Sequence, residues 1–194
     1  MNKKIKTIKE YLINLLTNHK KKSNKESMLT AIQYDALSIE YASEELRNNR
    51  EVVLAAVRKK GCALQYANDA LKNDKEVVLA AVQKAGIGLY YASEELKNDK
   101  DVVLKAIRQN AYAVLFASKE LKSDKEVVLE AVKQNGFTLE YLSAFKNDKE
   151  VVLAAVKQNG MALEYASDKL KNDREVVLVA VRQNRRAIKY SHLN

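Results

Sequence analysis

The side chains that most often carry chemistry are few and far apart in this chain. Its two histidines, His19 and His192, stand near opposite ends of 194 residues, and Cys62 is its only cysteine. A zinc site needs several nitrogen, sulfur or oxygen ligands converging on one point. A Ser or Cys nucleophile needs a base within hydrogen-bond reach. Neither set can be drawn from residues so dispersed. A single cysteine makes no internal disulfide and fits a reducing compartment. The glycines stand singly, and neither G-x-G-x-x-G nor G-x-x-x-x-G-K-[ST] is present. Carboxylates are plentiful, but Glu26, Glu51, Glu76, Asp101, Glu126, Glu150 and Glu175 recur at almost constant spacing. Seven copies of one acid are a structural device rather than a catalytic pair. The expectation is therefore a protein that is not an enzyme, with no catalytic residue, no metal and no cofactor.

The spacing of those acids leads back to the elements that hold them. Asn73-Asp-Lys-Glu-Val-Val-Leu-Ala-Ala-Val-Gln-Lys-Ala-Gly86 returns as Asn147-Asp-Lys-Glu-Val-Val-Leu-Ala-Ala-Val-Lys-Gln-Asn-Gly160. Aligned starts fall at Asn24, Asn49, Asp74, Asp99, Asp124, Asp148 and Asp173, with a period of 25 residues broken once by 24. A fixed period of this size marks a stacked repeat protein. The chain is 47% hydrophobic with five Gly and no Pro, a composition of helix formers. The predicted fold is all-α: an α-solenoid of about seven units, each with one longer helix, one short helix and a turn.

Within a unit, Ser23, Asn48, Asn73, Asn98, Ser123, Asn147 or Asn172 is expected to cap the long helix, with the acid three residues on completing a capping box. Val77, Val78, Ala81 and Val82 form a broad apolar face that suits burial between neighbouring units, and Ala81 permits close approach. Gly61, Gly86, Gly136 and Gly160 are expected to close the helix in the left-handed conformation, with Ala111 and Arg185 in the same slot. A short helix such as Ala63–Ala67 follows, carrying an aromatic at Tyr41, Tyr66, Tyr91, Phe116, Tyr141, Tyr165 or Tyr190. Then comes a brief 3₁₀ turn ending in Leu46, Leu96, Leu121 or Leu170. The unit from Asp124 lacks one residue between Ser143 and Phe145, so a local change in stacking angle is expected there.

The ends differ from the body. Residues 1–22 carry seven lysines against Glu10 alone, a net +6, and residues 182–194 carry +4, while the whole chain is only +9. Residues 3–18 read as an amphipathic helix with Ile5, Ile8, Leu12, Leu15 and Leu16 on one face. It is assigned as a basic cap on the array, residues 1–22, with the repeats occupying 23–194. Contact with a membrane surface is the disfavoured alternative. No apolar run is long enough to span a bilayer.

The string Leu-Lys-Asn-Asp-Lys-Glu-Val-Val-Leu-x-Ala-Val-x-x-Asn-Gly-x-x-Leu-x-Tyr-Ala-Ser resembles a repeat family known only as domain of unknown function 4116. Residues 145–167 hold a nearly complete copy, and the resemblance covers about 23–192. It implies no catalytic residues, because the family carries no agreed activity. Its members occur in intracellular bacteria such as Legionella, in protists and in large DNA viruses. The resemblance therefore implies a cytoplasmic protein, or an effector delivered into a host cell by a bacterial secretion system, with a host protein as partner.

Two slots vary between units. One holds Cys62, Ile87, Tyr112, Phe137, Met161 and Arg186; the other holds Glu40, Gln65, Tyr90, Leu115, Glu140, Glu164 and Lys189. Tyr90, Tyr112, Leu115 and Phe137 are the candidate protein-binding residues of an interaction scaffold. The alternative is RNA or other nucleic-acid binding along a basic edge of Arg58, Arg108, Lys133, Lys157 and Arg182. The near-neutral body argues against it, and cations there also answer the negative ends of the helix dipoles.

Overall fold

A computed structural model describes residues 24–193. The basic helix assigned to residues 1–22, Ser23 and His19 lie outside the described residues. The chain divides between Leu96 and Lys97 into two compact units.

Every described element is helical. Ten-residue α-helices run over Lys25–Tyr34, Arg50–Lys59 and Lys75–Lys84 in the first unit. The second unit has them at Lys100–Gln109, Lys125–Gln134, Lys149–Gln158 and Arg174–Gln183. Each is followed by a six-residue 3₁₀ helix: Ala36–Tyr41, Gly61–Tyr66, Gly86–Tyr91, Ala111–Phe116, Gly136–Tyr141, Gly160–Tyr165 and Arg185–Tyr190. One-turn α-helices such as Asp69–Lys72 and Lys119–Lys122 lead into the next repeat. Within each unit, long helices pack on long helices and 3₁₀ helices on 3₁₀ helices. Each unit is thus a stack of like on like, the α-solenoid arrangement. The expected short α-helix and 3₁₀ turn are exchanged: the aromatic-bearing segment is 3₁₀, and the segment after it is a single α-turn.

Packing follows the repeat. Val77, Val78, Ala81 and Val82 are fully buried, as are Val127, Val128, Ala131 and Val132 and their counterparts from Val151 to Val156. Each buried valine contributes roughly 1.5–3 kcal/mol relative to exposure.

The caps sit one residue later than the sequence suggests. The aligned Asn or Asp itself is the N-cap. Asp124 Oδ1 accepts from the backbone N–H groups of Glu126 at 2.9 Å and Val127 at 3.3 Å. The acid is then at the second helical position, too early to close a capping box. The residue before the cap serves the next repeat instead. Asn98 accepts from the Ser118 hydroxyl at 2.6 Å, and Asn147 from that of Ser167 at 2.9 Å. Beside these contacts, the backbone N–H of Ser118 donates to the Lys97 carbonyl at 2.9 Å, and that of Ser167 to Lys146 at 2.7 Å.

The glycines also act differently from expectation. None has positive φ. The helices close through an extended residue, such as Asn135 at φ −147° and ψ 107°. At Gly136 and Gly160 the following long helix comes too near for a side chain. A Cβ on Gly136 would lie 2.3 Å from the Ala155 carbonyl oxygen, and one on Gly160 2.2 Å from that of Ala180. Glutamines of the next helix complete the joint. Gln158 Oε1 accepts from the Gly136 N–H at 2.7 Å, and Gln134 Nε2 donates to the Arg108 carbonyl at 2.8 Å. Arg185, in the same slot of the last repeat, is exposed.

In the shortened repeat a 3₁₀ turn, Ser143–Phe145, replaces the one-turn α-helix. Leu142 turns aside at φ −105° and ψ 62°, and it is buried where other repeats have alanine. Asp148 then caps the next helix at φ −85° and ψ 111°, the same geometry as Asp99 at φ −85° and ψ 111°. The cap geometry of the other repeats is thus regained by Asp148.

Candidate interaction face

The two variable slots of the sequence are the second and fifth residues of each 3₁₀ helix. Three residues per turn place such a pair in one column. The first, third and fourth residues of the segment face the core: Ala111, Ala113 and Val114 are buried, as are Gly136, Thr138 and Leu139. Every second and fifth residue is at least partly exposed. Stacking the repeats then lines these columns up along one edge of each unit.

In the first unit this edge ends in Ile87 and Tyr90, with Tyr90 56% exposed and edge-on to Tyr91, ring centroids 5.0 Å apart. Tyr112, Leu115 and Phe137 belong to the second unit and are half-buried. Tyr112 meets Tyr141 of the next repeat edge-to-face at 6.2 Å, and Phe137 meets Tyr165 in the same way at 6.1 Å. Each variable aromatic therefore leans on the regular aromatic one repeat along. Tyr141 and Ile87, not among the candidate binding residues, are also on the surface at 53% and 45%. Tyr141 belongs to a slot that reads as core, and only the shortened turn beside it could have hinted otherwise.

Charge on this edge is uneven. Glu140 and Glu164 are exposed and enter no ion pair among the described residues. The charge of Glu140 raises the Tyr141 phenol above its ordinary range, helped by burial and by their hydrogen bond. Burial, then Glu140 and Glu164, do the same for Tyr165. On the last repeat Lys189 sits 4.5 Å above the Tyr190 ring.

The opposite charges of the long helices are already engaged with each other. Lys100 Nζ lies 2.8 Å from Asp124 and 2.7 Å from Glu126 of the next repeat. Lys125 bridges Asp148 and Glu150 at 2.8 and 2.9 Å, and Lys149 bridges Asp173 and Glu175 at 2.7 and 2.9 Å. Arg50 does the same for Asp74 and Glu76 in the first unit. The hydrogen bonds from Arg50, Lys100 and Lys149 hold Asp74, Asp124 and Asp173 below the usual carboxylate range. For Asp148 burial pushes upward most, but Lys125 and the Val151 N–H together outweigh it. These recurring acids link neighbouring repeats.

The five candidate cations are divided between the units, Arg58 in the first and the others in the second. Arg58, Arg108, Lys133, Lys157 and Arg182 are all exposed near the ends of the long helices. Arg108 is paired with Glu130 at 3.1 Å. Lys133 and Lys157 border a shallow furrow of about 470 Å³ floored by Leu129 and Leu153.

No cluster of metal-ligating side chains occurs among the described residues. Cys62 is half-buried and free. His192 is 3.8 Å from Asp168 at the surface. No helix among them is long and apolar enough to cross a membrane.

Stacked helical repeats, joined by charge bridges and edged by a variable surface, define a helical repeat protein. The model of the family described as domain of unknown function (DUF4116) matches residues 24–72, 50–97, 74–122, 99–146 and 148–193, and the chain belongs to that family. Neither the curated proteins nor the solved structures contain a match.

Proposed function

We propose that the chain is a non-enzymatic interaction scaffold whose 3₁₀ edge binds a protein. One observation carries the reading. The second and fifth positions of each 3₁₀ helix vary widely among the seven copies, and the stack leaves both open. Positions that stack are repeated almost unchanged. A surface that varies while its support stays constant suits recognition, and large apolar groups on it suit a protein partner. The family's occurrence in intracellular bacteria supports, by resemblance only, a protein delivered into a host cell.

The test is affinity capture from a host-cell lysate by the intact chain and by a Tyr90→Ala/Tyr112→Ala/Phe137→Ala variant. The expected result is a set of proteins retained by the first and lost by the second, with unchanged helical circular dichroism. Equal retention by both would remove the edge from the proposal. Nucleic-acid binding is the second reading, favoured by the exposure of the five cations. It requires an RNA affinity that falls steeply with salt and is lost on Lys133→Gln/Lys157→Gln.

A further inference from the structure

The second unit's edge has a chemical gradient that narrows what it can hold. The second-position slots present Tyr112, Phe137 and Met161 in successive repeats, all half-exposed. The fifth-position slots beside them present Leu115, then Glu140 and Glu164. An apolar row is thus flanked on one side by two carboxylates with no cation bound to them among the described residues. On the last repeat both slots become basic, Arg186 and Lys189, which ends the acidic stretch.

The spacing adds a second constraint. Packed helices stand about 8–10 Å apart, so the row offers one apolar contact per ~8–10 Å. A polyproline II chain turns once every three residues with a rise of ~3.1 Å each, returning a side chain to one face every ~9 Å. An α-helix returns one every ~5.4 Å, so two of its turns span ~10.8 Å and overshoot this row slightly at each repeat. Edge-to-face rings such as Phe137 against Tyr165 leave ring faces for guanidinium or ammonium groups. Lys189 over Tyr190 shows that contact within the chain itself.

We propose that the row Tyr112–Phe137–Met161 binds an extended, basic segment of another protein in polyproline II conformation. An apolar side chain at every third position seats on the row, and an Arg or Lys beside it pairs with Glu140 or Glu164. This names the partner chemistry of the scaffold reading and rests on it.

The experiment uses the full chain and a fluorescein-labelled peptide of four Leu-Arg-Pro triplets, read by anisotropy at low and physiological salt. Comparison probes are four Leu-Glu-Pro triplets, four Ser-Arg-Pro triplets and a single-stranded oligouridine. The expected result is saturable binding of the Leu-Arg-Pro peptide, with both altered peptides at least about tenfold weaker. Glu140→Gln/Glu164→Gln, which alters only exposed groups, is expected to weaken binding about fivefold or more, in line with two solvent-exposed charge pairs. Arg58→Gln is expected to change nothing. Equal binding of the Leu-Glu-Pro peptide, indifference to Glu140→Gln/Glu164→Gln, preference for oligouridine, or no peptide binding each overturns the inference. Lysate proteins captured through Tyr90, Tyr112 and Phe137 in a chain that ignores all three peptides would leave the scaffold reading standing and this one refuted.

Discussion

Gly136→Ala tests how the repeats are joined. The new Cβ would lie 2.3 Å from the Ala155 carbonyl oxygen and 3.1 Å from its carbon. Both atoms are main chain, so no flexible side chain can yield. Restoring a tolerable separation of ~3 Å requires helix Lys149–Gln158 to retreat by about 0.7 Å or the 3₁₀ helix to deform, and a gap of that size forfeits a quarter to a half of each dispersion contact it opens. The contacts at risk are those of fully buried Val151, Val152, Ala155 and Val156. Overpacking of this kind costs about 1–3 kcal/mol. At about 2–4 °C per kcal/mol for a chain of this size, the melting temperature should fall by roughly 2–12 °C. The assay is thermal and urea unfolding followed by circular dichroism at 222 nm. The sign is informative, because Gly→Ala at an unobstructed site stabilises by about 0.4–1 kcal/mol through the unfolded chain. A Gly136→Asn variant separates close approach from a left-handed cap: Asn tolerates the left-handed region but is bulkier, so it should be worse than Ala. Ala111, which fills this slot naturally, serves as the control: Ala111→Gly should cost no more than about 1 kcal/mol. A stability unchanged or raised by Gly136→Ala, or an Asn variant better than the Ala one, would refute the reasoning.

Asp148→Ala removes both a helix cap and a bridge to Lys125 and should cost about 1–2 kcal/mol in urea unfolding, whereas Asp148→Asn keeps the cap and should cost at most about 1 kcal/mol. Because the folded carboxyls of Asp74, Asp124, Asp148 and Asp173 titrate below their unfolded values, their contribution is complete above about pH 4–5 and lost as pH falls through the folded values. Melting temperature should therefore drop below that range, and the gap between the wild type and Lys149→Met should close there; a gap constant down to pH 2 contradicts the bridges. Gln158→Met leaves the Gly136 N–H without its acceptor and should cost about 1–2 kcal/mol, with faster amide exchange at Gly136 as the local readout.

The period, the valine face and the aromatic slot are legible because they depend on the chain's own regular spacing. What was misread depends on the neighbouring repeat. Asn73 and Asp74 are both good caps by type, and nothing local says which serves its own helix. The structure gives Asp74 to the helix, while the Asn of the doublet faces the serine of the next repeat, as Asn98 does with Ser118. Gly136 fits a left-handed closure as well as a close approach, and the atom that decides, the Ala155 carbonyl oxygen, lies 2.3 Å away but in another repeat. Six residues are too few to separate a period of three from 3.6, so the 3₁₀ helices read as α. That same ambiguity hid the alignment of the two variable slots. The tighter winding brings Tyr112 and Leu115, neighbours on one face of an α-helix, into a single column.

Seven copies in one chain make their own comparison, and it discriminates between two accounts of the variable edge. If the second and fifth 3₁₀ positions were merely free of packing demands, they would drift to polar residues, as the outer positions of the long helices do at Gln83 and Lys84. Instead they hold Ile87 and Tyr90 in the first unit and Tyr112, Leu115, Phe137 and Met161 in the second. Inter-repeat packing explains part of this, since Tyr112 and Phe137 lean on Tyr141 and Tyr165. It does not explain Ile87, which is 45% exposed. Nor does it explain why the acids on this edge stay outside the charge bridges that occupy Asp124, Glu126, Asp148 and Glu150. Stacking draws its charge bridges from the acids at the helix starts, and Glu140 and Glu164 on the 3₁₀ edge join none of them among the described residues. A repeat built this way can change its edge without disturbing its stack, which is the physical condition for recognition to be set one repeat at a time.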